Sequence, residues 1–473
     1  MPLLESLSLT GLIAALALPW LTGALVVRLL TGPNSGVNIC LGYGFFLGQI
    51  VIIVLLLGWD TFFGGVRFLP LAALLLVLAT SAGALVVRDN WRLPSRPRWP
   101  LMIWLMVAIL LGLIGARFWL LLQELALRPV YPWDAWMNWV PRAVVWFHHA
   151  ELTPFVLPPE WLIAPPEAEV YALGNWRASG YPPGVPLMLL WMMLGGGTAD
   201  HTLLFLPWLV APLAFALVLW GHLRTGGLGP VVTLVLIYLF LSLPFANIHT
   251  MLAGYADFWL GLYFSLGVMA AERWRHVGGM GHGALALILA TGCAFMKTPG
   301  MVFAGLILMA LILVGAGVSS RWLGRGVMLG LVAIALMLLG GVMPGLSAMP
   351  ADRFLLPLPG FLPELRIQPQ PLLPILFDSL FASSNWHLLW PVLGLSALAA
   401  LVVRGWVILD SLALLSLVTA ATLLVFVFGY THYFRQAENL VTLNRAWLYL
   451  VPLTTYVMGV CWTSALRGSD GND

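Results

Sequence analysis

Long apolar runs, interrupted by Gly, Pro and Arg clusters, set the first reading of the chain. Runs near 8–27, 39–57, 68–87, 100–122, 201–222, 230–248, 255–271, 282–297, 299–317, 326–346, 386–403, 406–430 and 446–465 approach or reach the roughly 17 to 25 residues that a helix needs to cross a bilayer. They predict about 13 transmembrane helices. The stretch Pro182 to Gly197 is also apolar, but it is led by proline and closes on Gly195, Gly196 and Gly197. At about 12 to 15 apolar residues it is too short to cross, so it is expected to lie at the interface or re-enter. The first run is expected to stay as a helix, because Glu5 stands where a signal peptide would carry a basic flank.

Arginines test this register, since cytoplasmic loops retain an excess of Lys and Arg. Arg28, the cluster Arg88, Arg92, Arg96 and Arg98, then Arg224, Arg273 with Arg275, Arg321 with Arg325, Arg404 and Arg467 all fall on one face. Counting Pro182 to Gly197 as a span would move Arg273, Arg275, Arg321 and Arg325 outside. The expected topology therefore has the N-terminus outside and the C-terminus inside. It leaves an outer loop at 123–200, a second at 347–385 and a shorter one from Thr431 to Asn444. These hold most of the acidic residues, among them Asp134, Glu151, Glu160, Glu167, Glu169, Asp352, Glu364, Asp378 and Glu438, which places function there.

Composition agrees with this picture: 61% of the 473 residues are hydrophobic and 9% charged, with a mean hydropathy of +0.96. The fold class is an all-α polytopic membrane protein. So little charge excludes disorder and a nucleic-acid-binding domain. Cys40, Cys293 and Cys461 show no ligand spacing and read as packing residues. The inner loops lack a Gly-rich phosphate cradle, which disfavours an ATP-driven pump, and the two halves show no internal repeat.

Several polar residues stand out against this background. If Trp133 to Trp146 runs as an interfacial helix, Asp134, Asn138 and Arg142 share one face at i, i+4 and i+8, while Trp136, Trp139, Ala143 and Trp146 form the other. The polar face would point to a site above the membrane; the plainer reading is a tryptophan belt that anchors the loop. Tyr181, Pro182, Pro183 and Gly184 read either as a rigid turn walling the site or as a helix start. Asp257, in Gly254-Tyr255-Ala256-Asp257, and Lys297, in Lys297-Thr298-Pro299-Gly300, lie at the outer ends of spans, and Lys297 is the only lysine of the chain. Either they act on substrate or they form a structural salt bridge. Arg445, with His432 and Arg435 nearby, is a further outer cation, equally readable as snorkelling to headgroups. His148 and His149 lack a third ligand at helical spacing, and Glu160, Glu167 and Glu169, set among prolines, read as a solvated loop.

Taken in order, the Trp-Asp-Ala-Trp motif with its following Arg142, the Tyr-Pro-Pro exit, Gly-Tyr-Ala-Asp, Lys-Thr-Pro-Gly and a late Arg445 before Tyr-Leu-Val-Pro resemble bacterial GT-C membrane glycosyltransferases. These are relatives of protein O-mannosyltransferases and aminoarabinose transferases. The resemblance spans roughly Leu101 to Leu466. It divides the chain into an N-terminal three-helix addition (1–99), a GT-C-like catalytic module (100–466) and a cytoplasmic tail (467–473). It implies transfer of a monosaccharide from a polyprenyl-phosphate donor to a lipid, polysaccharide or protein acceptor on the outer side of an inner (plasma) membrane, commonly with inversion.

By that resemblance Asp134 is the catalytic base. Lys297, Arg445 and Arg142 surround the donor phosphate, and Asp257, Tyr255, Asn138, Tyr181 and His249 orient substrate. No cofactor is required by the motifs; a divalent metal beside Asp134 is the one option, though a single Asp stands where many relatives have two acidic residues. Two readings from other classes remain: a secondary transporter or lipid flippase that uses Asp257 and Lys297 as intramembrane charges, and a non-catalytic assembly subunit whose outer loops bind partners.

Overall fold

The computed structural model describes residues 7–88, 98–130, 132–340, 355–356 and 365–469. Glu5, Arg92, Arg96, Tyr131, Asp352, Glu364 and, with the last two, residues 347–354 and 357–364 of the expected second outer loop lie outside them. The described residues are mainly helical, and a helix lies over each of the apolar runs read from the sequence. Among the described residues, eight helices are long and apolar enough to cross a membrane. There are ten if the bent pairs Pro230–Ser242 with Pro244–Met251 and Val441–Leu448 with Val451–Leu466 each count as one span. The protein is thus an all-α polytopic membrane protein. Pro244 accounts for the first break, since it has no N–H to give and its ring clashes with the preceding turn. Met280–Met296 and Gly300–Gly315 are apolar but shorter.

Two compact units divide the chain. The first comprises Met1–His222, Asn247–Tyr263 and Thr291–Gly300; the second comprises Leu223–Ala246, Phe264–Ala290 and Met301–Asp473. Helices Leu9–Thr31 and Val37–Phe63 cross at backbone contact, because a Cβ on Gly44 would stand 2.4 Å from the Ala24 Cα and one on Gly48 would stand 2.2 Å from the Pro19 carbonyl oxygen. In lipid, where no hydrophobic force drives helices together, such small-residue contacts supply the packing. The same helices reach the rest of the unit: Trp191 Nε1 donates to the Ala15 carbonyl at 2.7 Å, and Tyr263 Oη to that of Phe46 at 3.0 Å.

The apolar stretch expected not to cross is the helix Gly184–Gly196, nearly all of it buried. Thirteen residues at about 1.5 Å each span about 20 Å, short of a hydrocarbon core of about 30 Å. A helix lying in the headgroup plane would leave one face open. This one is enclosed, and at its C-terminal end the Gly196 carbonyl accepts the Ser8 N–H at 2.8 Å.

Helix ends from the expected outer side meet one another in the first unit. Val66 N–H reaches the Ala150 carbonyl at 2.5 Å, Asp60 accepts the Leu152 N–H at 3.1 Å, and Thr202 Oγ1 donates to the Ala126 carbonyl at 2.7 Å. In the second unit, the antiparallel pair Leu355–Leu356 with Leu365–Arg366 continues into Gln368, whose N–H meets the Tyr430 carbonyl at 2.7 Å. The arginine-bearing turns form a separate group there. Arg275 donates to the Asp410 carbonyl at 2.7 Å and to Ser320 Oγ at 2.5 Å, while the buried Glu272 accepts the Ala413 N–H at 3.2 Å.

Candidate functional site

The first-loop motif forms one helical run, residues 133–149, with a π-turn over Ala135–Trp139. Pro141 explains the wide turn. It has no N–H to give, and the register shifts just before it, Val140 donating to the Ala135 carbonyl five residues back. The wider turn also slows the rotation per residue, so the two faces read from the sequence are not kept. Asn138 and Arg142 are buried, and Asp134 is half-buried. Trp139, Ala143 and Trp146 are buried inside the unit, leaving only Trp133 and Trp136 of the expected belt exposed. Arg142 and Trp146, expected on opposite faces, are neighbours, the guanidinium standing 5.1 Å from the ring centroid. Residues i and i+4 share a helix face, and here they stack.

Four motifs close into a circuit within the first unit. Arg142 Nη1 donates to the Tyr181 carbonyl at 2.9 Å, and the Tyr181 ring lies 5.4 Å from that of Trp139. Gly184, next in the Tyr-Pro-Pro-Gly turn, sits so close to the end of Met280–Met296 that a Cβ would stand 2.4 Å from the Phe295 carbonyl oxygen. Lys297 comes directly after that helix; its Nζ donates to Asp257 Oδ1 at 2.8 Å. Asp257 opens the helix Asp257–Val277, where the helix dipole favours a carboxylate. Three residues earlier, Gly254 (φ +102°) faces Ala135, and a Cβ there would stand 2.5 Å from the Ala135 Cβ. That contact returns the circuit to the residue after Asp134.

The electrostatics of the circuit are uneven. Asp257 is fully buried, and the Lys297 side chain is 16% exposed, so this pair is withdrawn from water. Arg142 lies between Trp146 and Phe155, its guanidinium 5.9 Å from the second ring. Burial lowers its pKa to about 10, which still leaves it charged at neutral pH. Its Nε is buried with no hydrogen-bond partner among the described residues. A buried N–H without an acceptor costs about 1–3 kcal/mol, so an anionic oxygen placed there would be stabilised.

The remaining sequence candidates fall around this circuit. Asn138 Oδ1 accepts from Asn175 Nδ2 at 2.9 Å. The Tyr255 carbonyl accepts from Trp208 Nε1 at 2.9 Å, and the Tyr255 ring lies 4.9 Å from that of His249. Arg445 belongs to the second unit, in the helix Val441–Leu448, where its neighbour Asn444 accepts from Ser379 Oγ at 2.7 Å. Cys40, Cys293 and Cys461 are free, buried thiols. Among the described residues, no group of three or more His, Cys, Asp or Glu side chains is arranged to hold a metal ion.

Sequence reasoning missed Asn175, Tyr171 and Phe155, because a loop of prolines and short turns carries no periodicity to pair them with the helix. It also set aside His149 and Glu169, which meet at 3.2 Å.

If the Gly254–Ala135 approach holds the circuit, Gly254→Ala should destabilise the protein by about 1–3 kcal/mol through strain at positive φ, with overpacking adding to it. Thermal unfolding in detergent measures this. Adding Ala135→Gly should recover only the steric part. An unchanged melting temperature for Gly254→Ala would refute the contact.

Comparison with protein-family models, with curated proteins and with solved structures finds no match to this chain.

Proposed function

We propose that this protein is a GT-C-like membrane glycosyltransferase that moves a monosaccharide from a polyprenyl-phosphate donor to an acceptor on the outer side of the membrane, lipid or polysaccharide acceptors being preferred over protein. The observation that carries the reading is the circuit in the first unit: Asp134 and Arg142 of the first-loop motif, Asp257 and Lys297 come from three motifs, and close contacts at Gly184 and Gly254 tie those motifs together. Convergence of distant motifs on one end of a helical unit is what a site needs, and plain anchoring does not.

In this reading Asp134 is the base. An acceptor hydroxyl is a poor nucleophile, so an ionised carboxylate within hydrogen-bond reach takes its proton as the anomeric carbon develops positive charge. The leaving group is a lipid phosphate, which cations stabilise without a covalent intermediate. Arg142 suits that role through its Nε–H, which has no acceptor among the described residues. By the resemblance, Lys297 belongs to the cation set as well, with Asp257 orienting it. A divalent metal beside Asp134 stays an option of the resemblance.

The topology proposed with it has about 13 crossings, the N-terminus outside, and Gly184–Gly196 not crossing. The clustering of the arginine-bearing turns of the second unit, apart from the Gln368 and Tyr430 turn, supports it. A cysteine introduced beside Arg224 should resist membrane-impermeant labelling in intact cells; labelling from outside would overturn the register.

The decisive measurement is release of free polyprenyl phosphate when purified protein meets a panel of polyprenyl-phosphate sugars. Release with one donor supports the transferase. One observation favours a second reading: the withdrawn Asp257–Lys297 pair together with two broken helical pairs also suits a transporter. No release with any donor, together with solute uptake or lipid scrambling in vesicles, would establish that instead.

A further inference from the structure

A second set of reactive groups sits at the far end of the first-loop helix. Helix Val140–His149 stops at Ala150, which takes a left-handed conformation (φ 55°) and reverses the chain. The returning segment then runs beside residues 170–171: Val156 N–H donates to the Tyr171 carbonyl at 2.8 Å, and Tyr171 N–H donates to that of Pro154 at 3.0 Å. These bonds fix the Tyr171 backbone. Its ring packs 6.0 Å from Phe155 and 5.3 Å from His149 at a steep angle. As a result, Tyr171 Oη lies 2.6 Å from His149 Nε2, and Glu169 Oε2 lies 3.2 Å from His149 Nδ1.

This geometry assigns the protons. An ionised carboxylate only accepts, so Nδ1 carries the hydrogen that faces Glu169. In the neutral imidazole Nε2 is then a lone-pair acceptor, and the Tyr171 hydroxyl donates to it. A hydroxyl donating to an imidazole that a carboxylate orients is the arrangement that raises the nucleophilicity of the hydroxyl. The group is open to solvent: the Glu169 side chain is 64% exposed and that of His149 26%.

We propose that Glu169, His149 and Tyr171 form a proton relay that makes the Tyr171 oxygen a base-activated nucleophile. It is a covalent site for electrophiles at phosphorus, sulfur or a carbonyl carbon that carry an anionic leaving group. In the step, the phenolic oxygen forms a bond to the electrophilic atom, and the leaving group departs with its bonding pair. The phenolic proton passes to His149 Nε2, and the Glu169 carboxylate stabilises the resulting imidazolium. Tyr171 touches the electrophile; His149 and Glu169 are positioning residues. The relay does not depend on the glycosyl-transfer reading and shares no acid or base with it.

The test uses full-length protein in detergent, benzenesulfonyl fluoride as the electrophile and peptide mapping by mass spectrometry as the readout. The other tyrosines, of eleven in the chain, serve as internal references. Tyr171 should be sulfonylated faster than any of them, with fluoride released. His149→Gln should slow its labelling by about tenfold or more, and Glu169→Gln by a smaller factor, with the reference tyrosines unchanged. Labelling of Tyr171 no faster than the references, or unaffected by His149→Gln, would overturn the proposal. Where a variant loses its fold, shown by new rates at the reference tyrosines, the comparison within the parent protein decides.

Discussion

Asp134→Asn is expected to lower turnover by about 10²-fold or more while donor binding survives. Asparagine keeps the shape of the side chain and much of its hydrogen bonding, so the change isolates the loss of a proton acceptor. Asp134 stands in regular helical conformation (φ −60°, ψ −37°) at the start of the π-turn, and it is half-buried. The substitution therefore strains no backbone and opens no cavity. π-Turns inside helices frequently accompany functional sites; this one places Ala135 against Gly254 and so fixes the residue before it. Single-turnover kinetics with a donor that the parent uses, alongside donor binding measured separately, separates the chemical step from affinity. A folded Asp134→Asn protein that turns over at the parent rate ends the base assignment. Asp257 would then be the carboxylate to test, although it already holds Lys297.

The helices are legible in the sequence because a membrane demands length and apolarity, both of which can be counted along a chain. The helix Gly184–Gly196 is legible for the same reason, from its shortness and its flanking prolines and glycines. The meeting of motifs is not legible. Nothing in the sequence says that Gly184 lies against Phe295 or Gly254 against Ala135, since a missing side chain leaves no periodic signal. The face reading of Asp134, Asn138 and Arg142 overlooks that Trp146, four residues after Arg142, shares its face, and it misses one local event. It takes regular α-helical spacing through Pro141, whereas the chain meets the missing N–H with a π-turn. The plain reading of Glu169 as solvated loop holds, but it leaves out a partner. The residue is largely exposed, but a backbone bridge between Phe155 and Tyr171 brings it to His149 across some 20 residues, a separation that no local pattern encodes.

The Asp257–Lys297 pair carries the other large expected effect, and the effect distinguishes its two readings. Lys297→Met should destabilise the protein by about 3–5 kcal/mol, because it takes the ammonium away from a carboxylate that stays buried. Asp257 has no exposure and the Lys297 side chain only 16%, so solvent screening does little to reduce that cost. The double variant Asp257→Asn with Lys297→Met removes both charges and should recover most of the stability, since replacing a whole buried pair is often neutral. The effect on function depends on the role of the lysine. If Lys297 contacts the donor phosphate, the double variant folds but binds donor more weakly and turns over more slowly, because that contact exists in ground state and transition state alike. If the pair only joins the turn Lys297–Gly300 to the start of the helix Asp257–Val277, the double variant regains stability and activity together. Thermal unfolding, donor binding and turnover measured on the same preparations decide between them, and parent-like activity in the double variant would remove Lys297 from the site.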